Sequence, residues 1–170
     1  KGIYLITGTL EACLLLLLEI PLHPRWFFHR LRGLAHRFLL NRFFVSRVAR
    51  GASTATILKA LKENGIGHLH SVDLPGLSWG YKKHIGELVP QDLRSRWSLK
   101  LGPTSYVLSD LLQDLGAIDI FIHDSAHSYH PQKMDYELAL AYLSPGGILI
   151  SDDVKNDAFI EVAQAHHCRW

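Results

Sequence analysis

The sequence has only two cysteines, Cys13 and Cys168, far apart and in no metal-ligand spacing. Disulfide-framed domains and zinc modules need denser, regularly spaced cysteines, so both classes drop out and a reducing, cytoplasmic setting is the reading that fits. No Gly-x-Gly-x-x-Gly follows the first strand-like run, which removes the usual fingerprint of a nicotinamide-dinucleotide site. Low-complexity linkers and internal repeats are missing too, and 170 residues with 48% hydrophobic and 20% charged content support one globular domain with one core. Acidic residues are scarce near the start, where Arg and His crowd the chain, while the remainder is mildly acidic despite a formal net charge of +2. That balance argues against a nucleic-acid-binding surface spread over the domain.

One long apolar run does occur, from Ile3 to Ile20, with Glu11 and Glu19 inside it or at its edge. A membrane-spanning helix needs about 20 apolar residues with few charges, and a signal peptide needs a clean small-residue cleavage pattern. A buried or capping helix is the preferred reading. From His23 to Phe44, Phe27, Leu31, Leu34 and Phe38 recur at helical spacing among Arg25, Arg30, Arg32, Arg37 and Arg42, predicting a basic amphipathic helix. Membrane contact through residues 1–44 is one use for such a face; packing on the domain with the arginines in water is preferred. The chain divides accordingly into a helical, basic segment, 1–42, and an α/β domain, 43–170.

Within the domain the signals are regular. Phe43 to Ala49 predicts a strand, Gly51-Ala52-Ser53 a turn with Ser53 as N-cap, and Ala55, Ile57, Leu58 and Leu61 a helix ending at Gly65-Ile66-Gly67. His68–Asp73 and Trp97–Leu101 read as further strands, with a Pro75-Gly76 break and a loop carrying Trp79 and Tyr81 between them. After the Gly102-Pro103 turn, Ser105–Leu115 reads as a helix. Ile118 to Val154 then forms a β-α-β unit: two continuous apolar runs, each ending in carboxylates, flank a helix over about Pro131–Tyr142. A last helix falls near Asp157–Ala165. Alternation of this kind implies a three-layer α/β sandwich with a doubly wound, mostly parallel sheet.

In such sheets ligands bind at the carboxyl ends of the strands. That edge gathers Asp124, Asp152 and Asp153, with His127 close behind. Neighbouring carboxylates repel, so an unpaired cluster holds a proton or recruits a cation, and oxygen ligands favour Mg²⁺. The competing structural reading has one aspartate capping a helix, another paired with Lys155, and His127 bonded to a loop. Asp73 follows Gly51 by about the twenty residues that separate a cofactor-binding turn from a ribose-binding carboxylate.

Four stretches carry a resemblance: Val48 to Ser53, Ser71 to Pro75, His123 to Tyr129, and Pro145 to Asp153. In this order they resemble the class I S-adenosylmethionine-dependent methyltransferases, and more narrowly the small-molecule O-methyltransferase branch of macrocin O-methyltransferase-like and cephalosporin hydroxylase-like proteins. The resemblance implies a Rossmann-like fold whose sheet here stops after a fifth parallel strand. It also implies an S-adenosylmethionine site in which Gly51 and Ser53 meet the amino-acid end, Asp73 the ribose, and Gly102 and Ser105 the adenine. Plain turn geometry is the other reading of the two glycines. By the same resemblance, Asp124, Asp152 and Asp153 hold Mg²⁺ or another divalent cation against a substrate hydroxyl, and Asp124 and His127 act in catalysis, with His127 taking the proton.

The chain departs from the family's Glu-x-Gly-x-x-x-Gly motif, keeping only Gly51; Val45 stands at the acidic position and Arg47 at the first glycine. An arginine there would crowd the cofactor and repel its sulfonium. The function expected is thus an O-methyltransferase acting on a small hydroxylated substrate. A methyltransferase-fold protein without catalysis, used for partner or membrane binding, is the alternative, and a nicotinamide oxidoreductase is disfavoured.

Overall fold

In a computed structural model of the chain, residues 4–7, 41–74 and 84–169 are described. The strands are β1 (Tyr4–Thr7), β2 (Arg42–Val45), β3 (His68–Asp73), β4 (Trp97–Leu101), β5 (Ile118–His123) and β6 (Leu143–Ser151). The helices are α1 (Ala52–Asn64), α2 (Thr104–Leu115), α3 (Tyr129–Tyr142) and α4 (Ala158–Ala165), and a 3-10 turn, Gln91–Arg96, leads into β4.

One 6-stranded sheet runs in the order β1-β6-β5-β2-β3-β4. β2 lies parallel to both β3 and β5, β4 parallel to β3, and β6 parallel to β5. Among the described strands only β1 is antiparallel, with Tyr4 opposite Ser151 and Thr7 opposite Ile148. This corrects the expectation of a helix at the start of the apolar run: Tyr4–Thr7 is an edge strand, and residues 8–40 lie outside the described residues. Arg42–Phe44, at the end of the run read as a basic amphipathic helix, belong to β2, which covers the first residues of the strand expected over Phe43 to Ala49. Among the described residues no helix is long and apolar enough to cross a membrane.

The continuous apolar runs are explained by burial on both faces. Side chains alternate along a strand, so neighbours enter different cores. Phe43, Val45, Ile120, Ile122, Ile148 and Ile150 pack with Ile57, Leu58 and Leu61 of α1. Phe44, Phe121 and Leu149 face the other way, into a core with Leu108 and Leu112 of α2, Tyr136 and Ala139 of α3, and Phe159 and Val162 of α4. Phe44 and Phe121 stack with ring centroids 4.9 Å apart, a contact worth about 1 kcal/mol beyond its buried area. Three layers result, with α1 on one side and α2, α3 and α4 on the other.

The expected N-cap is corrected. Helix α1 starts at Ala52 behind Gly51, which has φ +93°, and no side chain caps it. Glycine occupies this position because a side-chain-bearing residue is strained there, and Ser53 falls exposed in the first turn.

His70 of β3 has its pKa lowered to about 4, first by burial and then by His68 and Arg42. The unfolded chain takes up a proton near pH 6.5 that the folded chain refuses until about pH 4, so stability falls as pH drops through this window. Thermal melts between pH 7 and 4 should show a shallower loss in His70→Gln than in the parent; equal slopes would contradict the assignment.

Candidate active site

The carboxyl ends of β2, β3, β5 and β6 meet at one edge, and their loops are tied together there. Ser46, just beyond β2, donates its N–H to the Ile122 carbonyl (2.9 Å), and its Oγ accepts the Asp124 N–H (2.9 Å). Asp152 N–H reaches the His123 carbonyl (3.0 Å). At the end of β3, Asp73 Oδ2 accepts the N–H groups of Val48 (3.0 Å) and Ala49 (2.7 Å). Two such charge-assisted bonds pin the β2–α1 loop where Ala49 adopts φ +48°. The Asp73 carboxylate, expected at a ribose, thus holds the loop with one oxygen and is itself only 4% exposed.

Gly51 has a close neighbour, though not the expected one. A Cβ there would meet Gly86 Cα and Val89 Cγ2 at 2.8 Å each. The approach it permits is therefore by the 84–89 segment, which also donates Gly86 N–H to the Ala49 carbonyl and Leu88 N–H to that of Arg50 (2.9 Å each). Gly102 likewise makes room for Val107, whose Cγ1 would lie 2.8 Å from an added Cβ. Ser105 is exposed in the first turn of α2. Leu74 and Leu101, 57% and 43% exposed, leave apolar surface at the ends of β3 and β4 beside this turn.

Asp124 sits between Arg47 and His127: Arg47 Nη1 is 3.7 Å and His127 Nε2 3.8 Å from its Oδ1. Burial raises the Asp124 pKa, the Asp152 charge adds to this, and Arg47 and His127 pull it down. Arg47 leans toward this carboxylate, which offsets the repulsion its charge would exert on a sulfonium.

The expected metal triad is not assembled. Among the described residues no group of three or more His, Cys, Asp or Glu side chains could hold a metal ion. The carboxylates have other engagements: Asp152 Oδ1 accepts the Asp153 N–H (2.9 Å), and Asp153 Oδ2 lies 3.7 Å from Lys155 Nζ. Asp124 faces Arg47. These residues do not fit a divalent ion bound by all three, and the Asp153–Lys155 contact follows the competing structural reading.

Behind Asp124 lies a buried polar network absent from the sequence analysis. Ser125 Oγ donates to Asp135 Oδ2 (3.1 Å). Having one proton to give, it accepts from His123 Nε2–H, 3.0 Å away, which fixes the His123 tautomer. His123 Nε2 is also 3.3 Å from Asp135 Oδ2, and the two residues are 0% and 4% exposed. Tyr136 Oη and Ser151 Oγ are 2.6 Å apart beside them. Asn156, in the β6–α4 loop, donates Nδ2–H to Gln132 Oε1 (2.7 Å) and to the His127 carbonyl (3.3 Å). The sequence signal was the phase of α3: Gln132, Asp135, Tyr136 and Ala139 fall at helical spacing on its buried face.

The family model described as a methyltransferase domain matches residues 48–154. Among curated proteins, none matches the chain. Among solved structures, CalS11, a TDP-rhamnose 3'-O-methyltransferase of calicheamicin biosynthesis, has a TM-score of 0.67 at 15% identity, over 85% of this chain and 71% of that one. TomG from Streptomyces achromogenes, an O-methyltransferase of tomaymycin synthesis solved with S-adenosylmethionine, gives 0.60 at 16%, over 88% and 69%. An O-methyltransferase from Bacillus cereus, solved with S-adenosylhomocysteine, gives 0.58 at 17%, over 86% and 69%. Identities this low carry the fold alone.

Two expected outcomes follow from the loop and the network. Gly65 also has a positive φ (+74°) but open space around it, so Gly65→Ala should cost only the backbone penalty, about 1–2 kcal/mol. Gly51→Ala adds overpacking of about 1–3 kcal/mol, and urea unfolding should rank the pair in that order. Asp135→Ala takes the acceptor from the half-buried Ser125 hydroxyl beside buried His123 and should lose roughly 1–3 kcal/mol, with Asp135→Asn losing less; equal stability of Asp135→Ala and the parent would deny the network its role.

Proposed function

The chain belongs to the methyltransferase-domain family, class I and S-adenosylmethionine-dependent, and on that premise we propose that it methylates a hydroxyl oxygen of a small molecule. The observation that carries this reading is the meeting of Asp124 and His127 with the pinned β2–α1 loop at one sheet edge.

S-adenosylmethionine, when bound, supplies an electrophilic methyl group on a sulfonium. The residues present suit it. Helix α1 begins with no side-chain cap, and Ala52 and Ser53 are exposed, so its first N–H groups favour the carboxylate of the amino-acid end. Gly51 contributes through the bend that starts this helix. Asp73 is assigned to the ribose with the carboxylate oxygen not engaged by Val48 and Ala49, and the surface of Leu74 and Leu101, with the Gly102–Ser105 turn, borders the adenine.

His127 has one ring nitrogen toward Asp124 and its carbonyl held by Asn156. With the cofactor's methyl group bound beside a substrate hydroxyl, His127 would take the proton that the hydroxyl gives up on methylation. Asp124 orients the imidazole and stabilises its charged form. No step is assigned to Mg²⁺, because the three aspartates do not form a ligand set. The small hydroxylated substrate is a phenol, a sugar or a polyketide.

Calorimetric titration with S-adenosylmethionine and S-adenosylhomocysteine tests the cofactor assignment. Asp73→Ala should weaken binding by roughly 1.5–3 kcal/mol. Asp73→Asn, which keeps an acceptor for the loop amides, separates ribose contact from loop anchoring. A parent chain that binds neither compound would defeat the proposal. The pH–rate profile of methyl transfer to a panel of phenols and sugars should change in His127→Ala, and an unaltered profile would defeat its role as the base.

A further inference from the structure

Carboxylates that share a crevice need a counter-charge, and this site contains one of its own. Asp124 and Asp152 are close enough for the charge of one to act on the other. A fixed cation beside them is Arg47, Nη1 3.7 Å from Asp124 Oδ1. We propose that Arg47 is a built-in counter-ion, its guanidinium doing at the Asp124–Asp152 crevice the electrostatic work of a divalent cation, so that the site functions without a bound metal ion.

Position supports this. Residue 47 cannot drift, because Ser46 on one side is bonded to Ile122 and Asp124, and Val48 on the other to Asp73. A guanidinium stays charged at any working pH and presents several N–H donors in a plane. It can therefore neutralise a carboxylate and still offer a donor to a substrate oxygen. Each carboxylate that a hard divalent ion could use has a partner: Asp152 the Asp153 amide, Asp153 Lys155, and Asp124, the one facing the crevice, Arg47. The departure of Arg47 from the family's glycine is then a gain of charge at the place where the crevice requires it. The neighbouring Asp124 also shields a sulfonium from that charge.

The inference rests on the methyltransferase reading for its chemical meaning, but its test does not. The EDTA-treated full chain is titrated with Mn²⁺ while electron paramagnetic resonance follows the free ion. The parent and Arg47→Lys, both carrying the charge, should show no saturable site below millimolar Mn²⁺. Arg47→Ala and Arg47→Gln should each bind at least tenfold more tightly, and adding Asp124→Asn should abolish the gain. Saturable binding by the parent that Asp124→Asn removes would overturn the proposal. So would the lack of any gain in a charge-removing variant whose circular dichroism matches the parent's. Calorimetry with S-adenosylhomocysteine on the same samples is read separately: a parent that fails to bind it sinks the methyltransferase reading alone.

Discussion

Covering a parallel sheet on both faces leaves its polar groups only the strand ends through which to reach solvent or one another. The rest of the molecule follows from that constraint. Phe43, Val45, Ile120 and Ile148 must be apolar, as must Phe44, Phe121 and Leu149 on the opposite face. Asp73, His123, Ser151 and Asp152 can appear only where β3, β5 and β6 stop. The candidate site lies at that edge, where the strands stop and their loops meet.

The loops at the edge are held by side chains rather than by further regular structure. One oxygen of Asp73 organises Val48 and Ala49, one hydroxyl of Ser46 fixes Asp124, and one amide of Asn156 joins Gln132 to the carbonyl of His127. Each anchor lies on a different strand or connection from the residue it positions. The geometry of Asp124 and His127 is therefore a property of the assembled sheet.

This explains which parts of the structure were legible in the chain. His68–Asp73 and Trp97–Leu101 were readable as strands to the residue, because short segments mixing apolar and polar residues end close to a glycine or proline break. Tyr4–Thr7 was misread, since a long apolar run without alternation does not distinguish strand from helix. Asp124, Asp152 and Asp153 were correctly assigned to one edge, but their partners depend on contacts between distant segments. Arg47 could be seen as a departure from a motif. Its pairing with a carboxylate on another strand could not. Asp135 was hidden for a related reason: a polar residue on a helix reads as solvent-facing until the helix phase is set against the sheet.

The antiparallel seam between β1 and β6 bears on the order of assembly. Tyr4–Thr7 precede every other described strand in sequence, yet their hydrogen-bonding partners, Ile148–Ser151, lie near the opposite end of the described chain. Closing so long a loop is entropically expensive until the parallel strands have already brought the two regions together. The strand that comes earliest among those described is thus among the last to find its place. Until it docks, the unpaired edge of β6, Ile148, Leu149 and Ile150, is an apolar strand surface open to other chains.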